Sequence, residues 1–430
     1  MIKRLVPDPR LEPFYLGVDQ FCRDHIPEED VISEEETNSS KIFSDPVERY
    51  ISLYPWEVAI VDTMLFQRLR SIKQLGLAYM VYPTLVYSRF EHSIGVLGRL
   101  KQLLTSLQEN LAEDCFDDKL THINCPRNLY VIRLAALCHD LGHCLFSHVS
   151  ETIIQNLKGN ENYPSSREIL KVFEDYAGRR IPFSEIFSCC IVTSPYFVNY
   201  LSKIGIPNVS SKTKAYNLAE NIANLILGLP MPGDSKSLYL AQIMSSGLDI
   251  DKLDYMMRES LFSGISLGIS FEWLLKKITV STLPANQVPA GLSTRIKKCD
   301  HDAQFFVLTL KNGGQFAYEE FCIARLALHE KIYLHQKIRA AEAQLRFNLE
   351  RFTEHTSEYR EAHRWLYLKE SMKEYSKVSI EDCFVPIFVS KKMGLSNIDE
   401  RRLLHRAFAF GWHNAMAEQV PAEKEEQEKS

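Results

Sequence analysis

Leu137-Cys138-His139-Asp140-Leu141-Gly142-His143-Cys144-Leu145-Phe146-Ser147-His148 is the stretch on which the fold turns. Histidine is scarce, 13 in 430 residues, yet three fall here, at the end of the apolar run that starts at Tyr130. A helix over Tyr130 to Leu141 would put His139 and His143, four apart, on one face. Asp140 adds a carboxylate beside the first imidazole. Taken alone, the stretch also reads as an ordinary helix C-terminus, where the dipole favours histidine and glycine ends the helix.

Two other places sharpen it. Ser88-Arg89-Phe90-Glu91-His92-Ser93 opens a helix with a histidine in its first turn. Gly247-Leu248-Asp249-Ile250-Asp251-Lys252-Leu253-Asp254-Tyr255 opens another, in which Asp251, Asp254, Tyr255 and Arg258 are spaced to line one face. Solvent-facing helix starts, with acids capping the dipole, would explain each of these singly. Together they offer His92, His139, Asp140 and Asp251, a nitrogen and oxygen ligand set without thiolate. That set suits a divalent ion such as Mn, Fe, Ni, Zn or Mg.

The ordered set His92 … His139-Asp140 … Asp251 resembles the HD-domain metal-dependent phosphohydrolases. The surrounding words are more specific. Asp62-Thr63, Phe66-Gln67-Arg68-Leu69-Arg70-Ser71-Ile72-Lys73-Gln74-Leu75-Gly76 and Arg89-Phe90-Glu91-His92-Ser93-Ile94-Gly95-Val96 are similar to signatures of the deoxynucleoside triphosphate (dNTP) triphosphohydrolase branch, as is the stretch quoted first. That branch holds bacterial dGTPases and vertebrate SAM- and HD-domain enzymes. The similarity runs from Lys41 to about Tyr255 and returns weakly in Arg325 to His335.

The resemblance implies a mainly α fold, an HD-domain helical core with a small mixed α/β C-terminal region. It implies metal ligation by His92, His139, Asp140 and Asp251. His143 and His148 would face substrate phosphates, with Glu151 orienting a catalytic histidine. Arg89, Lys252 and Arg325 match positions that neutralise the triphosphate, which carries about four negative charges that need meeting in a dry pocket. Tyr255 and Tyr333 match residues packed on the sugar, Gln74 and Leu75 residues near its 3′-hydroxyl and the base, and His329 a further pocket residue. Glu259 stands where the vertebrate member has a shorter acid near the sugar. Lys41, Asp62, Gln67, Arg70 and His335 match positions binding an activating guanine nucleotide; Arg68 and Arg70 could equally make structural ion pairs. The implied reaction cleaves a dNTP to deoxynucleoside and inorganic triphosphate, in a homo-oligomer (dimer or tetramer) activated by GTP or dNTP.

Departures leave alternatives open. The family's acid-base histidine in the next helix falls at Asn162, which cannot exchange a proton near neutral pH. A family lysine is Gln336 here, and Leu334 stands at a polar pocket position. Action on another nucleotide phosphoester, or nucleotide binding with weakened turnover, are the competing readings.

The rest of the chain is ordinary globular protein, 45% hydrophobic with a net charge of -5, which gives a nucleic-acid partner no encouragement. Ten cysteines without a C-x-x-C pair read as reduced thiols. Met1 to Gly17 mixes charges and prolines with its apolar residues, unlike a signal peptide, and no apolar run is long enough to span a bilayer. A cytoplasmic chain is expected. We divide it into an N-terminal extension and acidic linker (1–40), an HD-domain catalytic core (41–280), a C-terminal α/β region (281–417) and a charged tail (418–430). Periodicity predicts helices over Trp56–Leu77, Phe90–Leu107, Arg167–Tyr176, Ala215–Leu227, Leu238–Ser245, Leu253–Leu261, Phe271–Ile278 and Tyr318–Phe352, a connection around Glu113–Arg127, a strand over Ala303–Leu310 and a turn at Gly313-Gly314.

Overall fold

The computed structural model describes residues 5–27, 40–112, 118–144, 146–155, 164–297, 299 and 302–355. Within them the protein is mainly α, with two small two-stranded antiparallel sheets. The axis of the core is the helix Arg89–Leu111, roughly 35 Å long. It starts at a capping box in which Ser88 and Glu91 satisfy each other's amides. Its residues His92 to Leu100 are buried without a break, so it is wrapped on every side. Around it pack the helices Pro126–Cys138, Ile250–Ser263 and Phe271–Lys277, and the strand β3 (Ile278–Pro284). β3 pairs with β4 (Gln304–Leu310), Ile278 opposite Leu310 and Pro284 opposite Gln304.

β1 (Lys41–Asp45) and β2 (Arg49–Leu53) form a hairpin, Lys41 opposite Leu53 and Asp45 opposite Arg49. A helix Pro55–Val61 follows, tied to the Pro126–Cys138 helix by a buried fork: Arg133 donates to both oxygens of Glu57, at 2.6 and 2.7 Å. Near the N-terminus, the helix Glu12–His25 lays Phe14 against Phe183 and Phe187. Phe183–Val192, the helix that carries those two rings, lies beneath the turn holding His139 to His143.

Several predicted elements differ. Trp56–Leu77 is not one helix. Thr63 caps a new start by accepting from Phe66 N, and the run divides into Pro55–Val61, Met64–Gln67 and a 3₁₀ turn Arg68–Ser71. The helix before the His-Asp pair ends at Cys138, so His139 and His143 do not share a helical face. Buried Arg68 takes the carbonyls of Leu141 and His143 as acceptors, holding that backbone in a turn. Gly142 allows the turn to sit down, since a Cβ there would lie 2.1 Å from Ser184 O and 2.5 Å from Ser188 N. The expected connection around Glu113–Arg127 contains a short helix, Asp118–Ile123. The predicted helix Tyr318–Phe352 is two helices, Gly314–Leu328 and Gln336–His355, joined through a π turn at His329–Tyr333. β3 is a strand the sequence reading did not mark off. No helix among the described residues is long and apolar enough to cross a membrane.

Candidate active site

The start of Ile250–Ser263 and the end of Pro126–Cys138 meet the first turn of Arg89–Leu111. His92 is wholly buried, and its Nε2 lies 2.9 Å from Asp251 Oδ1 without hydrogen-bond geometry. His139 holds its Nδ1 2.8 Å from Ala136 O, and its buried Nε2 has no hydrogen-bond partner. A carbonyl only accepts, so Nδ1 carries the proton and Nε2 presents its lone pair. The two rings stand 5.4 Å apart at 72°. One ligand atom each from His92, His139 and Asp251 lies within 4.8 Å of the other two. Two orphaned imidazole nitrogens facing one carboxylate are a set that a divalent cation fits.

Asp140 is beside this group and differently engaged. Its Oδ2 accepts from Arg89 Nη1 at 2.6 Å and is 3.9 Å from His92 Nε2, while its Oδ1 lies 3.4 Å from His139 Nε2 and 3.3 Å from His143 Nε2. Burial would raise its pKa, but Arg89, His139 and His143 hold it well below the usual carboxylate range. Burial also disfavours a charged His92, yet the contacts with Asp251 and Asp254 outweigh it and lift the imidazole to about 10. A cation at Nε2 would take the place of that proton.

Above the cluster opens a cavity of about 760 Å³. Arg89, Lys252 and Arg325 bring positive charge to its wall. Lys252 is paired with buried Asp249 at 2.5 Å, whereas Nε of Arg325 is buried without a partner. Gln74, Leu75, Tyr255, His329 and Tyr333 line the same cavity, the last two placed there by the π turn. Glu259 lies on the wall between two tyrosines, accepting from Tyr333 OH at 2.5 Å and Tyr87 OH at 3.3 Å. Burial pushes its carboxyl up to about 8, the two hydroxyls offsetting only part of that.

His143 and His148 reach the cavity from the other side, and Glu151 lies between them, 3.6 Å from Nδ1 of His143 and 3.5 Å from Nδ1 of His148. Burial lowers His143 to about 4, with Arg89 adding to the effect. Burial would raise Glu151, but His148 and His143 bring it down to about 2. Asn162 lies outside the described residues.

The residues matched to an activator site are not on this cavity wall. Lys41 and Asp62 pair at 2.5 Å, both about half exposed. Gln67 accepts from Arg70 Nε at 2.8 Å, and the Arg70 guanidinium lies over the Phe90 ring, 3.5 Å from its centroid. His335 meets Tyr82 edge-on.

Other residues shape the site without having been singled out from sequence. Ser147, in the left-handed region at φ 54°, accepts from Arg89 Nη2 and donates to Gln74 O at 3.1 Å. Arg339 and Arg346, from the Gln336–His355 helix, add positive charge to the wall. Their one sequence signal is basic residues returning on a helix that follows the pocket tyrosine.

Comparison with known proteins points to the same fold. Residues 89–186 match the HD domain family. The deoxynucleoside triphosphate triphosphohydrolase SAMHD1 of Xenopus laevis is 32% identical over 247 residues, 55% of this chain and 36% of that protein. The uncharacterized protein YwfO of Bacillus subtilis is 26% identical over 310 residues, 71% of this chain and 54% of that one. A solved structure of a hypothetical protein from Aquifex aeolicus shares the fold, with a TM-score of 0.53 and 21% identity over 88% of this chain and 80% of the other. The chain thus spans little more than a third of the Xenopus relative's length. Residues 89–186 match an HD domain, and over about half its residues the chain is similar to a deoxynucleoside triphosphate triphosphohydrolase.

Proposed function

We propose that the protein hydrolyses dNTPs to deoxynucleoside and inorganic triphosphate. One observation carries the reading: the His92, His139 and Asp251 ligand atoms converge at a cavity whose wall holds Arg89, Lys252 and Arg325. A divalent ion bound there, with Asp140 alongside, supplies Lewis acidity and a more acidic water. The chain's own groups do the rest. Arg89, Lys252 and Arg325 hold the polyphosphate and offset its charge, which matters more in a partly dry cavity than in water. Tyr255 and Tyr333 wall the sugar, and Gln74 and Leu75 meet its far side and the base. Glu151, 3.6 Å from His143 and 3.5 Å from His148, orients the catalytic histidine for proton handling at the phosphate.

Asn162 removes the family's usual proton-exchanging group. General acid-base help is typically worth about 100- to 10,000-fold, so turnover is expected to be slow. Lys41, Asp62, Gln67, Arg70 and His335 are the residues for an activating guanine nucleotide, in a homo-oligomer. A second reading, action on another nucleotide phosphoester, is favoured by Glu259, whose two oxygens are already engaged by tyrosine hydroxyls. One experiment tests both. Purified protein with Mn(II) or Mg(II) is given a dNTP panel and a panel of other phosphoesters, with and without GTP, and triphosphate and phosphate release are read separately. Triphosphate from a dNTP is expected; phosphate from another ester alone supports the second reading, and no product from any compound contradicts both.

A further inference from the structure

The polar face of the Ile250–Ser263 helix divides in two. Asp251 and Tyr255 line the cavity, whereas Asp254 and Arg258 are fully buried away from solvent. Asp254 Oδ2 is 2.8 Å from His92 Nδ1. Arg258 grips that carboxylate at both oxygens, Nε to Oδ2 at 3.0 Å and Nη2 to Oδ1 at 2.9 Å. Its remaining arm, Nη1, donates to Asp45 Oδ2 at 2.9 Å. Asp45 ends β1, and its other oxygen accepts from the amides of Val47 and Glu48, at 2.9 and 2.8 Å, across the hairpin turn. Glu48 is in turn paired with Arg99 at 2.5 Å.

The long helix is cut away to let this chain of groups pass. A Cβ on Gly95 would lie 2.0 Å from Arg258 Nη2 and 2.3 Å from Asp254 Oδ1, and one on Gly98 would lie 2.6 Å from Glu48 Cγ. Burying one arginine and two aspartates is costly, and apolar residues of similar volume would commonly serve stability as well. Their arrangement has a directional consequence that apolar packing lacks. A carboxylate on Nδ1 fixes the plane and tautomer of an imidazole, leaving Nε2 to bind. A forked guanidinium fixes the plane of that carboxylate.

We propose that Asp254, Arg258 and Asp45 are positioning residues of the metal site, acting through His92, so that the β1–β2 turn is part of its support. The proposal rests on the metal reading above. The test uses the full chain, Mn(II) as titrant and Co(II) as spectroscopic probe. Asp254→Asn is expected to weaken Mn(II) binding about 10- to 100-fold and to change the Co(II) visible spectrum, with helical circular dichroism retained. Asp45→Asn keeps the Asp254–Arg258 pair and is expected to move both readouts the same way by a smaller factor; it decides the matter should Asp254→Asn not fold. Wild-type Mn(II) affinity and Co(II) spectrum in folded variants, even with lower melting temperatures, overturn the proposal and mark a role in folding only. On wild type alone, the Zn(II)-loaded chain should show a His92 Nδ1 proton protected from exchange; a rapidly exchanging one overturns it equally. Wild type that takes up no metal removes the metal reading and this proposal together.

Discussion

The floor of the cavity and the outer edge of the hairpin are both built from charged side chains, held in opposite ways. Just beneath the floor, His92, Asp254 and Arg258 have no exposed surface, and each is fixed by groups from a different part of the chain. At the edge, Lys41 and Asp62 meet at a similar distance but stand about half in water. Buried groups left unpaired cost several kcal/mol, whereas exposed pairs contribute ~0–1 kcal/mol. The floor is therefore rigid and intolerant of change. The edge can trade its internal ion pair for a ligand at little cost.

Five substitutions at four places test that contrast, in order of expected size. His92→Ala or Asp251→Asn should cut any phosphohydrolase turnover ~1,000-fold or more, equivalent to about 4 kcal/mol in the barrier; steady-state rates at fixed Mn(II) check it, and near wild-type turnover would place the chemistry elsewhere. Glu259 should make stability pH-dependent. Its folded pKa of about 8 lies above the ordinary carboxyl value of 4.5. The folded state thus keeps a proton that the unfolded chain loses, and this group's contribution falls as pH rises from about 4.5 to about 8, then levels off. The total is on the order of a few kcal/mol. Melting temperatures across that range should flatten in Glu259→Gln; an unchanged slope would show the carboxyl ionising normally.

Gly142→Ala forces a methyl against the Ser184 and Ser188 backbone, and a loss of about 1–3 kcal/mol is expected by chemical denaturation. A neutral result would mean that the turn moves more freely than its packing indicates. Lys41→Ala should change stability by no more than ~0.5 kcal/mol, while abolishing any rate response to GTP. Retention of that response would detach the edge from activator binding.

What could be read from sequence follows the range of the forces involved. Apolar periodicity is local, and the helices through Phe90, Ala215, Leu238 and Phe271 lie close to where it put them. The breaks at Thr63 and at His329–Tyr333 were not legible, because a side-chain cap in the first and a π turn in the second override an unbroken apolar pattern. In the site, residue types and order pointed to His92, His139, Asp140 and Asp251; the fold brings His92, His139 and Asp251 together, while Asp140 beside them is engaged by Arg89. Spacing also put Asp254 and Arg258 on a polar face but could not say which neighbour that face would meet. That depends on the hairpin turn and on two glycines of another helix. Arg68 shows the same limit: sequence offered an ion-pair partner, and the fold uses it to hold two backbone carbonyls.

The most direct test is a crystal grown with Mn(II) and measured for its anomalous scattering. The account predicts one strong peak within bonding distance of His92 Nε2, His139 Nε2 and an Asp251 oxygen, at the base of the cavity. Absence of a peak there, or a peak bound only by residues outside this group, would contradict it.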